Sequence, residues 1–228
     1  MFYPYLAGLI DGDGCFYKEH GGRIRIGNLH RGIIKLLHKK FGGSFCKSKT
    51  TYKGKILNNF YYWMVCAKEA EFVIEKVMPF LQEKYIEAQY IWPQYNWIEQ
   101  KNMTEREWHS YIAGFVDAEG SIYVANTDTY KLFVTISNTY EPIIEKIASY
   151  YEESVYDREL KSKKIIYKVS FINQKAKRIL KDIEPFLIVK KREARYALQF
   201  PLGRSGKKLS DKILEKRKQI KNLINKGR

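Results

Sequence analysis

The chain has 228 residues, with 41 Lys or Arg against 25 Asp or Glu, a formal net charge of +16 and a pI near 9.6. Such a field draws polyanions, and a phosphate backbone repays it through counterion release. No run approaches the ~20 apolar residues of a membrane span and no secretory or transit leader is legible, so the expectation is an intracellular protein with no membrane partner. Three cysteines without close pairing and four scattered histidines offer no disulfide framework, structural zinc site or His-based triad.

In chain order, residues 3–12 read as a short helix with Pro4 in its first turn and Gly14 at its far end. Residues 14–28 read as a hairpin turning at 20–22, with Ile24 and Ile26 on a core face and Arg23 and Arg25 on the other. A helix over 30–41 stops at Gly42-Gly43. Strands are expected over 44–50 and 59–66, joined by a long basic loop, then a helix over 68–78 and a helical stretch towards Tyr90. Thr104-Glu105-Arg106-Glu107 is a capping-box pattern opening a helix over 105–117. Strands at 121–124 and 131–136 follow, with Leu132, Val134 and Ile136 facing one way and Lys131, Phe133 and Thr135 the other. A helix begins near Pro142, strands at 155–160 and 165–172 come next, and a helix runs to about Ile183. Residues 201–228 hold ten Lys or Arg against two acids; Leu209, Ile213, Ile220 and Leu223 recur at roughly helical spacing, which predicts a basic amphipathic helix. That helix either packs on the second half or makes an accessory nucleic-acid contact.

The chain repeats itself. Tyr5–Phe16 and Tyr111–Ile122 are each an apolar run with small residues inside it, ending in two acids and a glycine. Gly8 and Gly114, Asp13 and Glu119, Pro79-Phe80-Leu81 and Pro185-Phe186-Leu187, and Lys84 and Lys190 all share an offset of 106. The expectation is a tandem pair of α+β units, 1–98 and 105–200, with a linker at 99–104 and a basic tail from 201. Gly8 and Gly12 of one helix, facing Gly114 and Ala118 of its copy, would let two backbones approach closely between the halves. Asp13 and Glu119 would then stand at helix C-termini, where free carbonyls and the helix dipole add negative charge. In a strongly basic chain this edge suits a hard divalent cation that takes oxygen ligands and bridges to phosphate.

Leu6-Ala7-Gly8-Leu9-Ile10-Asp11-Gly12-Asp13-Gly14 resembles the signature of LAGLIDADG homing endonucleases, and Ile112–Gly120 resembles its second copy, as in single-chain, two-motif members. The weaker repeat anchors carry the resemblance from about Tyr3 to Leu198. It implies two pseudo-symmetric αββαββα halves whose antiparallel sheets form a saddle over duplex DNA. The implied activity is site-specific, divalent-metal-dependent phosphodiester hydrolysis, giving a staggered double-strand break in a long pseudo-palindromic or asymmetric target. The alternative on the same scaffold is an intron maturase or DNA-binding protein, with intron RNA as a partner.

The resemblance also implies roles. Asp13 and Glu119 hold Mg²⁺ (or another divalent ion such as Mn²⁺), assisted by the Gly12 and Ala118 carbonyls. Asp11 and Asp117 close the helix ends. Lys84 and Lys190 are the basic residues near the scissile phosphate, with Lys191 competing for the second assignment, and Asn28 and Asn138 stand where a polar side chain orients water. Tyr17, Arg23, Arg25, Lys47, Lys49, Tyr123, Lys131, Thr135, Lys168 and Ser170 are the strand residues expected to meet DNA, with the protein working as a monomer.

Overall fold

The computed structural model describes residues 1–52, 55–160, 162–203 and 209–225. Two compact units divide the chain, Met1–Ala118 and Glu119–Arg228. The first runs α1 (Phe2–Asp13), β1 (Gly14–Tyr17), a 3₁₀ turn at Glu19–Gly21, β2 (Arg23–Asn28), α2 (Arg31–Phe41), β3 (Ser44–Tyr52), β4 (Lys55–Cys66), α3 (Ala67–Val77), α4 (Tyr85–Ile91) and then all but the last residue of α5 (Glu105–Glu119). The second holds β5 (Gly120–Ala125), β6 (Lys131–Asn138), α6 (Glu141–Tyr150), β7 (Val155–Glu159), β8 (Ile165–Ile172), α7 (Gln174–Ile183), α8 (Lys191–Leu198) and α9 (Asp211–Asn225).

Each unit has one four-stranded antiparallel sheet, ordered β1-β2-β4-β3 and β5-β6-β8-β7. The period-two pattern of the strands decides which face is buried. In the first unit Ile24, Ile26, Trp63 and Val65 turn inward, and the core they share is filled by Ile33, Ile34 and Leu37 of α2 and Val73, Ile74 and Val77 of α3. In the second, Val134, Ile136, Val169 and Phe171 share their core with α6 (Ile143, Ile144, Ile147) and α7 (Ile179, Leu180, Ile183). The repeated α+β architecture expected from the 106-residue offset is the one observed.

Several local rules are visible at the joints. The Gly42 N–H closes α2 onto the His38 carbonyl at 2.9 Å, with φ of +72° that glycine adopts without strain, while the Gly42 carbonyl accepts the indole N–H of Trp63 at 2.8 Å. The capping box of α5 forms as its spacing predicts. Thr104 donates its backbone N–H and its hydroxyl to Glu107 Oε2, each at 2.9 Å, and the Glu107 N–H returns to Thr104 Oγ1 at 3.4 Å. Lys101 Nζ adds an ion pair to Glu107 Oε1 at 2.7 Å. Thr104→Ala is therefore expected to destabilise the protein by about 1 kcal/mol, read as a lower denaturation midpoint in urea. The Lys101 hydrogen bond holds the Glu107 carboxyl below its ordinary pKa, so this contribution is present above the usual carboxylate range and fades as pH falls through the lowered value.

One expectation fails in the first unit. The long basic loop between two short strands is instead a long two-stranded ribbon, β3 and β4 pairing out to Tyr52 opposite Lys55, with its tip at 53–54 outside the described residues. A register shift between Ser48 and Thr50 lets the ribbon continue past the sheet. Among the described residues there, Lys49, Ile56, Asn58 and Asn59 are exposed, so no burial of alternate side chains marks them as strand.

The tail helix forms, with a different inward face. Arg217, Ile220 and Ile224 are buried, whereas Leu223, assigned to the apolar stripe by spacing, is 39% exposed. Helix α9 packs on β5 and α8. Arg217 lies among carbonyls: Nε donates to Pro201 O at 3.0 Å, Nη1 to Thr129 O at 2.6 Å and to Tyr130 O at 3.2 Å, and the guanidinium sits 4.8 Å from the Phe200 ring centre. A charge read from sequence is assigned to solvent; here the carbonyls and the ring replace water. Residues 204–208 and 226–228 of the tail lie outside the described residues.

Candidate active site and nucleic-acid interface

Helices α1 and α5 meet backbone to backbone at Gly8 and Gly114. A Cβ on Gly8 would overlap the Tyr111 carbonyl oxygen and stand 2.9 Å from Phe115 N. A Cβ on Gly114 would strike the Tyr5 carbonyl oxygen and stand 2.9 Å from Leu9 N. Only hydrogen fits at either place. Gly12 and Ala118, expected to extend this seam, are part-exposed near the helix ends.

The close approach sets up two crossed hydrogen bonds. Tyr5 donates its hydroxyl to Asp117 Oδ2 at 2.7 Å, and Tyr111 donates to Asp11 Oδ2 at 2.6 Å. Both carboxylates are buried, with exposures of 0% for Asp11 and 1% for Asp117. Asp11 also accepts the backbone N–H of Gln82 at 2.8 Å and of Lys84 at 2.9 Å, so it ties α1 to the turn before α4. Burial pushes the Asp11 carboxyl up from its ordinary pKa, against the pull of these donors. These are the geometries of tethers. Their partners lie too far along the chain for a local pattern to assign the tyrosines a role, although Tyr5 and Tyr111 carry the same 106-residue offset as the glycines and acids.

The second acid of each motif has a different setting. Asp13 is the last residue of α1 and Glu119 the last of α5; both are part-exposed, and each is followed at once by a strand that opens with glycine. Asn28 Nδ2 donates to Asp13 Oδ2 at 2.8 Å, fixing the carboxylate from β2. The donors at this end of α1 are oxygens: a carboxylate and the carbonyls of the last turn. Among the described residues no group of three or more His, Cys, Asp or Glu could enclose a metal. One carboxylate with helix-end carbonyls instead fits a hard cation that keeps waters and takes phosphate as a further ligand.

Lys84 and Lys190 occupy matching places. Each is the residue before a helix, α4 or α8, with φ and ψ of −92° and 13° for Lys84 and −98° and 16° for Lys190. Lys84 Nζ donates to the Asp11 carbonyl and lies 3.6 Å from Glu83 Oε1, which puts its charge at the last turn of α1. Lys191 donates to the Pro185 carbonyl at 3.0 Å from within α8. By local conformation the counterpart of Lys84 is Lys190. Asn28 and Asn138 also match, their Oδ1 atoms accepting the N–H two residues on, His30 at 2.7 Å and Tyr140 at 2.8 Å. That is a strand-end turn in both units, and Asn28 also makes the bond to Asp13.

Strand register sorts the expected contact residues by face. On the sheet face turned away from the helices the first unit carries Tyr17 opposite Arg23 and Cys66, Cys15 opposite Arg25 and Met64, and Gly27 opposite Tyr62 and Cys46. The second carries Tyr123 opposite Phe133 and Ile172, Ser121 opposite Thr135 and Ser170, Ser137 opposite Lys168, and Lys131 opposite Ala125. Lys47 is different. It pairs with Tyr61, which pairs with Asn28, so it shares the parity of Phe45 and Trp63 rather than that of Arg25. Lys49 falls within the register shift. With Ser48 and Asn58 these two lysines line a shallow cavity of about 430 Å³ on the ribbon.

A family model described as LAGLIDADG endonuclease matches residues 112–199. Among curated protein sequences none matches significantly. The fold is similar to that of the meganuclease I-SmaMI bound to uncleaveable DNA (15% identity, all of both chains, TM-score 0.56). It is also similar to I-AabMI bound to uncleaved DNA (13% identity, 96% of this chain and 98% of that one, TM-score 0.58). I-SmaMI has further been solved with uncleaved target in the presence of calcium ions (15% identity, 99% of each chain, TM-score 0.53). No helix among the described residues is long and apolar enough to cross a membrane.

Proposed function

We propose that this chain, a LAGLIDADG-family protein by the sequence of its second half and by its fold, is a site-specific DNA endonuclease that makes a staggered double-strand break as a monomer. The observation that carries the reading is the glycine seam: two helices in backbone contact, each ending in the acid of the same motif. An ordinary helix pair has no reason to repeat, 106 residues apart, both the packing glycine and a part-exposed acid. The net charge of +16 and the open sheet faces supply the field and the surface for a phosphate backbone.

In this reading Asp13 with the Gly12 carbonyl, and Glu119 with the Ala118 carbonyl, are oxygen ligands for divalent cations of the Mg²⁺ type. When bound, such a cation neutralises charge on the scissile phosphate and lowers the pKa of water. The protein's own groups do the rest. Asn28 holds Asp13 in one orientation, and the Lys84 ammonium puts a fixed positive charge at the end of α1, where an attacked phosphate gains negative charge. Asp11 and Asp117, fully engaged and buried, keep the two helix ends in place.

The test is incubation of the purified chain and Mg²⁺ with a duplex library that includes the sequence flanking its own gene. Cleavage at one preferred site, lost with chelator, is the expected result; no cutting of any duplex overturns the proposal. Within it, Lys84→Ala and Lys190→Ala are each expected to slow cleavage by roughly a hundredfold, the scale of one positioned charge donor, with little loss of DNA affinity. Lys191→Ala, whose ammonium is held by Pro185, should cut at close to the wild-type rate in the same single-turnover assay.

A further inference from the structure

The two sheets present different chemistry at equivalent levels. The level next to each motif acid begins two residues past it, at Cys15 and at Ser121. In the first unit that row reads Cys15–Arg25–Met64. In the second it reads Ser121–Thr135–Ser170, the last of these 106 residues beyond Met64. One row holds a single long cationic fork between two apolar or weakly polar neighbours; the other holds three short hydroxyls, with Thr135 only 9% exposed.

Arg25 is also held in place. Its guanidinium carbon lies 4.4 Å from the centre of the Tyr62 ring, one level along the strand. Tyr62 stands opposite Gly27, which has no side chain there; the neighbouring Phe60 ring occupies that space so closely that a Cβ on Gly27 would collide with it. Cys46 stands opposite Tyr62 across the strand pair. Arg25 thus rests on an aromatic platform, with the Phe60 ring filling the space over the facing Gly27. Stacked arginine loses less freedom when it forms a two-pronged hydrogen bond, and in the major groove that geometry matches O6 and N7 of guanine. At the equivalent place in the second unit, Lys168 replaces Tyr62 and Thr135 replaces Arg25, so there is neither fork nor platform. Serine and threonine hydroxyls donate and accept, and they accept several bases.

We infer that Arg25, positioned by Tyr62, reads a guanine in the half-site bound by the first unit, while the matching base pair in the other half-site is read permissively by Ser121, Thr135 and Ser170. The inference rests on the proposed DNA-endonuclease function. It makes the protein's fidelity lopsided: one half-site has a stringent position close to the cut, and its mirror position drifts.

The experiment profiles binding and cleavage by the full chain, with Mg²⁺ for cleavage and Ca²⁺ for binding, on a target library with every base pair substituted singly. Wild type should show one position where replacing guanine weakens binding by about tenfold or more, the scale of one bidentate pair, and less than about threefold discrimination at the mirror position. Arg25→Lys keeps the charge but not the fork; it should flatten preference at that position alone and leave the others unchanged. Tyr62→Leu should relax the same position partly, as expected of a positioning residue. Equal stringency at both mirror positions in wild type, or an unchanged profile in Arg25→Lys, overturns the inference while leaving the endonuclease reading intact. A wild-type chain that selects no duplex at all removes both.

Discussion

The Asp13→Asn protein is expected to bind its duplex target about as tightly as wild type and to cleave it at least about a hundredfold more slowly, and Glu119→Gln should behave alike. Each substitution keeps side-chain size and removes one negative charge. Asp13 is part-exposed at a helix end, and Asn28 Nδ2, which donates to its carboxylate, can still donate to the amide oxygen. Folding should therefore survive. Binding should survive too, because a carboxylate repels phosphate and its loss relieves that repulsion. Cleavage depends on the charge itself, since a neutral amide is a poor ligand for a hard divalent cation. The discriminating measurement is a gel-shift affinity beside a single-turnover rate on the same preparation. Parallel loss of binding, folding and cutting would make the acids structural, and the catalytic assignment would then have to leave the helix ends.

Gly8→Ala and Gly114→Ala are expected to do the opposite: to lower stability by about 3 kcal/mol or more, and activity only as a consequence. The obstacles to the new methyl group are the carbonyl oxygens of Tyr111 and Tyr5, backbone atoms of a facing helix that cannot turn aside as a side chain would. Relief requires the helices to separate, and separation lengthens the Tyr5–Asp117 and Tyr111–Asp11 hydrogen bonds. Those carboxylates are buried, so a lost donor leaves a charge without water to replace it. A urea denaturation series reads the effect directly. A loss under about 1 kcal/mol would show that the seam yields easily and that glycine is not required there.

Most of the fold was legible because its signals are redundant. The packing glycines, the motif acids, the Pro-Phe-Leu segment and the lysine five residues past that proline repeat at one offset, and strand alternation in the central strands is enforced by a buried face. The capping box at Thr104 is legible because its residues act within four positions of one another. What escaped the sequence depends on partners far away in the chain. The ribbon of β3 and β4 reads as loop because Lys49, Ile56, Asn58 and Asn59 on it are exposed, and the face on which Lys47 lies follows from its pairing with Tyr61, which alternation in β3 alone cannot supply. Arg217 escaped because its carbonyl partners sit 16, 87 and 88 residues away. The crossed tyrosine–aspartate pairs span 112 and 100 residues, yet here a signal was present: both tyrosines and both first acids obey the repeat, and a polar residue on an otherwise apolar, glycine-lined helix needs a partner.

The two motifs are copies that have diverged. Aspartate in one stands where glutamate stands in the other, Gly12 where Ala118 stands, and the hairpin after the second motif is longer. On the proposed function, these differences and the unequal rows of the two sheets predict an asymmetric target whose two strands are cut at unequal rates. The most direct test of the central claim takes wild type, Asp13→Asn, Glu119→Gln and the double variant on one selected duplex with Mg²⁺. Affinity and strand-resolved cleavage are read from the same reactions. The account predicts comparable binding by all four proteins, efficient cutting of both strands by wild type alone, and no cutting by the double variant. A double variant that cuts at the wild-type rate, or a wild type that binds its duplex and never breaks it, would contradict the account.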